Sequence, residues 1–183
     1  MHACLAQLFF GALVGMALFT SRWWISAQPR HADQGSLSVH SLALFNAAVI
    51  FVQVIFGAGF RHRDISIWPH VAGAFVVTAT VTWTAVVLRR RFGAVREMVR
   101  ARLLLHSIFG VQFLLGLAAW WSRLSTADAP QPMLRMVVLT VTHTVAGALT
   151  FASAVLVVML CYRLVPRGRE ATVEAHQPEA ALS

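Results

Sequence analysis

Residues 70–74 read HVAGA and residues 143–148 read HTVAGA, and both stretches lie near one end of a long apolar segment. Ionisable side chains inside a membrane span are costly and rare, so a histidine that recurs with the same small neighbours is a functional candidate. The two stretches are also similar to each other, and similarity between separated segments indicates internal repeats. We therefore expect a chain built from repeated helical units.

The composition is that of a membrane protein. Of the 183 residues, 58% are hydrophobic and only 12% are charged, and the mean hydropathy is +0.68, far from the values of soluble domains. A membrane span needs about 20 apolar residues, and five uncharged stretches qualify. We therefore expect an all-α, polytopic membrane protein with five transmembrane helices, called the first to fifth spans, at residues 3–20, 37–60, 65–88, 103–121 and 136–162.

The arginines predict the orientation of these spans. All fifteen basic residues are arginine, of which eleven lie on one side of the membrane and four on the other. Since basic residues accumulate in cytoplasmic loops, we expect the N-terminus outside and the C-terminus in the cytoplasm. The arginines follow this topology and form no single basic face, so nucleic-acid binding is not expected despite the net charge of +8. The absence of lysine favours a GC-rich bacterial source and hence the bacterial plasma membrane.

A second repeat accompanies the histidines. Residues 52–57 read VQVIFG and residues 111–116 read VQFLLG, which share a Gln-x3-Gly pattern. The second and fourth spans therefore resemble each other, as do the third and fifth. Two copies of a two-helix unit predict a pseudo-symmetric four-helix bundle over residues 37–163, with a site where the repeats meet.

Depth decides which histidines can share one ligand. At 1.5 Å of rise per residue, His70 and His143 lie roughly 8 and 11 Å from the outer ends of their spans, whereas His106 lies roughly 24 Å from its outer end. His40 is near the inner end of the second span, so it can pair only with His106. A matched pair of imidazoles on neighbouring helices is what a haem iron bound from both faces requires. We therefore predict that His70 and His143 ligate a haem.

The small and amide side chains near these histidines have two interpretations each. Gly73 and Gly147 remove bulk one turn below the histidines, which either leaves room for a flat macrocycle or lets helices approach closely. Gln53 and Gln112 either hydrogen-bond a group of the cofactor site or tie the helices together.

A basic cluster lies at the outer mouth between the second and third spans. It consists of Arg61, His62 and Arg63. Guanidinium groups match carboxylate geometry, so Arg61 is a candidate for binding haem propionates. For His62 and Arg63, a solvated interfacial loop is the favoured interpretation.

The first span resembles the third and fifth, because it also starts with a histidine, His2, at its outer end. We interpret residues 1–20 as a helix whose outward-running partner is missing, the remnant of an N-terminal bundle. A cytoplasmic loop is expected at 21–36 and a polar, disordered tail at 164–183.

These motifs together resemble the haem A synthases of cytochrome oxidase assembly. The matching residues are QVIFGAGFRH at 53–62, followed by His70, and QFLLG at 112–116, followed by His143. Members of that family resemble two four-helix bundles in tandem, each with a histidine pair. The likeness covers the second to fifth spans as the C-terminal bundle and the first span as the last helix of the N-terminal bundle.

The resemblance implies a division of labour between the two bundles. The family oxidises a methyl group of haem O to the formyl group of haem A. By that likeness, His70 and His143 are axial ligands of haem b, and His2 matches a ligand of the bundle where haem O binds. The partner of that histidine and the family's catalytic acidic residue have no counterpart in this sequence. The chain is thus expected to supply the haem b, electron-transfer half, served by an unidentified electron donor and completed by a partner that supplies the missing helices.

Two other functions are compatible with the residues. One is a small b-type cytochrome that transfers electrons between quinol and a partner, using His70 and His143 and, on the inner side, His40 with His106. The other is a cofactor-free transporter or assembly subunit. It is less favoured because the repeat is parallel and no span contains an acidic residue.

Overall fold

The computed structural model describes residues 2–126, 128–130 and 133–167. All regular secondary structure in these residues is helical, which confirms the predicted all-α class. The helices are α1 (His2–Phe19), α2 (Arg22–Ile25), α3 (Val39–Arg61), α4 (Trp68–Phe92), α5 (Arg96–Ser125) and α6 (Leu134–Leu164).

Four of these helices, α3 to α6, are long enough and apolar enough to cross a membrane, so the protein is an integral membrane protein. They correspond to the second to fifth predicted spans. The fifth apolar helix, α1, is shorter, with 18 residues. The observed helices extend past the uncharged stretches. For example, α5 begins at Arg96, whereas the predicted span begins at residue 103. Helical hydrogen bonding continues through charged residues, which an apolar stretch excludes by definition.

Local residues explain where the helices end. Pro69 lies in the first turn of α4, where its missing N–H costs no helical hydrogen bond. Between α3 and α4 the chain reverses at Arg63, the described non-glycine residue with a positive φ, 65°. Only residues 93–95 connect α4 to α5, so these two helices form a tight antiparallel pair.

The four long helices form a ring. The packed neighbours are α3 with α4, α4 with α5, α5 with α6, and α6 with α3, which leaves α3 and α5 on one diagonal and α4 and α6 on the other. The two helices that carry His70 and His143 are therefore the diagonal pair α4 and α6. Residues on their inner faces point towards each other across the axis of the bundle.

Helix α1 packs outside the ring, against α6. A Cβ on Gly11 would lie 3.0 Å from Phe151 Cε1, and one on Gly15 would lie 3.2 Å from Met159 Sδ. This small-xxx-small contact allows close packing of two parallel helices. Because the two helices are parallel, residues at equal distances from this contact lie at the same level. Nine residues before Gly11 is His2, and nine residues before Phe151 is Thr142. The backbone of His2 is thus level with His143 but outside the ring, and its side chain lies outside the described part of the structure.

The two ends of the bundle are packed differently. We call the end formed by Val39, Phe92, Arg96 and Leu164 the closed end, and the end formed by Arg61, Trp68, Ser125 and Leu134 the histidine end. Buried side chains concentrate towards the closed end. None of the residues at 51–76, 110–121 or 133–145, all of which the structure describes, is fully buried. Apart from Ser122 and Thr126 at the end of α5, the fully buried residues therefore lie away from the histidine end.

The residues that follow α6 begin at the closed end. Leu164, the last residue of α6, and Val165, the residue after it, are both buried there, so the first two residues of the segment predicted as a tail pack against the bundle. The rest of that segment, 168–183, lies outside the described residues.

Candidate functional site

The structure brings together the two histidines that the sequence singles out. The ring centroids of His70 and His143 are 6.2 Å apart, and the ring planes are perpendicular, at 90°. Both side chains are half-buried. They meet because their helices occupy one diagonal of the ring and because both lie at the same level in the bundle.

Each imidazole packs on a glycine of the preceding helix. A Cβ added to Gly57 would lie 3.1 Å from His70 Cε1, and a Cβ added to Gly116 would lie 2.9 Å from His143 Cε1. Both distances are shorter than ordinary van der Waals contact, so a larger residue would displace the ring. Gly57 and Gly116 are site residues that the sequence analysis missed. The signal was present, because they are the glycines of the two Gln-x3-Gly stretches.

The glutamine of each repeat packs on the glycine of the following, histidine-bearing helix. The Gln53 side chain packs on Gly73, where an added Cβ would overlap Oε1, and a Cβ on Gly147 would lie 3.1 Å from Gln112 Nε2. The space beside Gly73 and Gly147 is therefore occupied by glutamine side chains. Of the two interpretations of these glycines, close approach of the helices describes the structure.

Hydrogen bonds define the tautomer of His143. Its Nδ1–H donates to the backbone carbonyl of Gln112 at 3.1 Å, and the side-chain amide of Gln112 donates to Nε2 at 3.4 Å. With the proton on Nδ1, the lone pair is on Nε2. Metal-ligating histidines typically donate their other ring N–H to such a carbonyl. These two bonds fix the orientation of the His143 ring and leave Nε2 as the nitrogen that accepts a hydrogen bond.

The equivalent contacts of His70 are different. Gln53 Nε2 donates to the backbone carbonyl of His70 at 2.8 Å rather than to the ring. Within the described part of the chain, His70 Nδ1 is buried without a hydrogen-bond partner. The two repeats therefore share a packing arrangement but differ in how the glutamine meets the histidine.

Exposed arginines surround the histidine end. Arg61 lies in the last turn of α3 and Arg63 follows it, and both are exposed, as is His62. Arg123, in the last turn of α5, places its guanidinium 5.0 Å from the centre of the Phe60 ring. The mouth of the bundle thus carries more guanidinium groups than the sequence analysis assigned to the site.

The histidines of the closed end form no second pair. His40 Nε2 donates to the Val165 carbonyl at 3.1 Å, Ser38 Oγ lies 3.2 Å from His40 Nδ1, and the ring contacts Tyr162 with centroids 4.7 Å apart. His106 is exposed on α5. His40 therefore joins the start of α3 to the end of α6, which leaves neither ring nitrogen free for a metal.

Comparison of the chain with protein-family models, curated proteins and solved structures finds no match. Within the described residues, no three or more His, Cys, Asp or Glu side chains come together as a metal site. A haem held by two imidazoles needs only the pair that the structure brings together.

The contact between Gly116 and His143 can be tested on stability. We expect Gly116→Ala to lower the free energy of unfolding in detergent by about 1–3 kcal/mol, because the added methyl overpacks the imidazole. Gly110→Ala is the matched control on the same helix, since its added Cβ meets no described atom within 4 Å apart from its chain neighbours and the adjacent backbone of its own helix. It should be neutral or stabilising by about 0.5–1 kcal/mol through helix propensity. Equal effects of the two substitutions in denaturant titrations would contradict the contact.

Proposed function

We propose that this chain binds haem b between His70 and His143 and carries electrons within the membrane. The observation that supports this most directly is the 6.2 Å between the ring centroids. A metal–imidazole bond is about 2 Å long, and the ring centre lies about 1 Å behind the nitrogen, so two imidazoles on one metal have centroids about 6 Å apart. The observed separation fits this geometry.

The packing of the bundle supports the same proposal. The residues at 51–76, 110–121 and 133–145 are mostly apolar and none is fully buried, whereas most of the buried core lies towards the closed end. Apolar walls with a few convergent polar groups are typical of cofactor sites. A macrocycle across the axis would bury these walls, and the buried core at the closed end would hold the helices in place.

The mouth of the bundle supplies groups that match the acidic edge of a haem. Arg61 and Arg63 are exposed where α3 ends, and Arg123 lies near them on α5. Guanidinium groups bind carboxylates through paired hydrogen bonds. We assign Arg61 to the propionates, because it lies in the last turn of the helix that carries Gln53 and Gly57.

Ligation by two histidines favours electron transfer. If His70 and His143 both bound the iron of a haem, the group would supply electron transfer rather than binding of oxygen or substrate at the metal. The role of His70 and His143 is then to hold the haem and to tune its potential, and chemistry on another molecule takes place elsewhere.

The proposed larger reaction is that of a haem A synthase-like oxidoreductase, in which the methyl group of haem O becomes the formyl group of haem A. This proposal rests on the resemblance of the two Gln-x3-Gly stretches, each followed by its histidine, to the motifs of haem A synthases. With dioxygen as the oxidant, the methyl group is hydroxylated twice, and each hydroxylation takes up one O2, two electrons and two protons and releases one water; loss of water from the resulting diol gives the formyl group. This chain would carry the electrons for these steps from the donor. His2, on the helix outside the ring, is the proposed ligand for haem O.

We further propose that α1 is a fifth span, with the N-terminus outside and the C-terminus in the cytoplasm of a bacterium. The support is the distribution of arginines, since those near the ends of α4 and α6 and the start of α5 lie at the closed end. The histidine end then faces the outside.

The haem site is tested by spectroscopy of the purified protein. The wild-type chain reconstituted with protohaem IX is expected to give low-spin b-type bands in reduced-minus-oxidised spectra. His70→Ala and His143→Ala should each lose these bands, because one axial ligand is removed. His106→Ala, an exposed histidine on α5, is the matched control and should keep them. Low-spin bands that persist in both ligand variants would refute the site.

The larger reaction is tested by complementation. In membranes that produce haem O but lack haem A synthase, co-expression of this chain with the N-terminal bundle of a haem A synthase should yield haem A in extracted pigments. His143→Ala should abolish the product, and the N-terminal bundle alone should give none. Haem A formation that does not depend on this chain would show that it has no part in the reaction.

The orientation is tested with reporters fused after Arg167. A fluorescent protein that matures only in the cytoplasm should fluoresce, and an alkaline phosphatase that is active only outside should be inactive, because the closed end carries most of the arginines. The opposite pattern would reverse the assigned topology.

A further inference from the structure

The two repeats differ at one atom that the proposed function uses. In the second repeat, the Gln112 amide lies 3.4 Å from Nε2 of His143, the nitrogen that carries the lone pair. In the first repeat, the Gln53 amide is bonded to the backbone carbonyl of His70 at 2.8 Å and makes no hydrogen bond to the imidazole. One ligand nitrogen is thus engaged by an amide donor, and the other histidine is not.

We propose that Gln112 is a cap on the ligand nitrogen of His143, so that the two histidines engage iron unequally. The inference rests on the proposed haem site. His70 binds first, because no amide competes for its ring, and His143 binds when the Gln112 amide leaves. Gln112 is therefore a positioning residue that controls when, and how tightly, the second axial ligand binds.

The surrounding contacts allow the amide to move without disturbing the imidazole. His143 is held independently through its Nδ1–H, which donates to the Gln112 backbone carbonyl at 3.1 Å. That carbonyl stays in place when the side chain rotates or is substituted. On the other side, Gly147 leaves the space through which the amide reaches the ring, since a Cβ there would lie 3.1 Å from Gln112 Nε2. Within the described residues, the Gln112 Oε1 atom is buried without a hydrogen-bond partner, so no second bond anchors the side-chain amide.

The size of the effect follows from the bond that must break. One intramolecular hydrogen bond changes an equilibrium by roughly five- to tenfold. Removing the cap should therefore strengthen haem binding by about that factor, even though a polar side chain near the cofactor is lost. If Gln112 only tied the helices together or bound the haem, its removal would weaken binding instead. The direction of the change separates the two roles.

The experiment compares haem binding by matched variants of the full chain. Protohaem IX is mixed with the purified wild-type protein, Gln112→Leu and Gln53→Leu, and the appearance of the low-spin spectrum is followed by stopped flow. Gln112→Leu is expected to speed the low-spin conversion and to lower the dissociation constant about five- to tenfold. Gln53→Leu should bring no gain in rate or affinity, because the Gln53 side-chain amide donates to the His70 backbone carbonyl rather than to the ring. A rate and affinity equal to wild type in Gln112→Leu, or an equal gain in Gln53→Leu, would overturn the proposal.

Two further measurements keep the result interpretable. Should Gln112→Leu fail to fold, Gln112→Asn replaces it, because its shorter side chain withdraws the amide from Nε2 and carries the same expectation. The variants His70→Ala and His143→Ala are titrated in parallel. Wild-type haem binding by both would refute the haem site itself, whereas loss of binding in both with no gain in the Gln112 variant would refute only the cap.

Discussion

The structure depends on two glycine contacts in each of the helix pairs α3–α4 and α5–α6. In each pair, one glycine on each helix receives a side chain from the other helix. On one side the histidine ring packs on the glycine of the preceding helix, and on the other the glutamine packs on the glycine that follows the histidine. Neither contact tolerates a Cβ without movement, so both require the helices to approach closely. Because the two pairs repeat this arrangement, they place His70 and His143 at the same level and facing across the bundle.

The closed end provides the rigidity that such a site requires. There the loop before α3 is tied to the bundle: Asp33 accepts from the Val39 backbone N–H at 2.8 Å and pairs with Arg91 at 2.9 Å. Arg163 donates to the carbonyls of Trp24 and Ser26. The closed end is densely packed and cross-linked by polar contacts. Loose packing and buried polar groups lower the free energy of unfolding unless other contacts compensate. The contacts at the closed end provide that compensation, so the histidine end can stay loosely packed without loss of the fold.

Much of the architecture could be predicted from hydropathy and repetition. The all-α class and four of the spans follow from uninterrupted apolar segments, since a bilayer leaves a helix as the simplest way to satisfy the backbone. The pairing of His70 with His143 was predictable because repeated units occupy equivalent positions. Gly57 and Gly116 escaped prediction, because a glycine that receives a side chain from another helix looks the same in sequence as one that only allows close packing. For the same reason, the sequence could not show that glutamine side chains fill the space beside Gly73 and Gly147.

Composition and periodicity are properties of local stretches, so the amino-acid sequence is enough to predict an apolar helical protein with two equivalent histidine-bearing units. The contacts between helices are visible only in the fold: α4 and α6 lie on a diagonal, the rings of His70 and His143 are 6.2 Å apart, and His40 donates to the Val165 carbonyl. The fold also decided that equivalent glutamines bond differently, one to a carbonyl and one to an imidazole. Such choices depend on small differences in helix position, and no local pattern of residues encodes them.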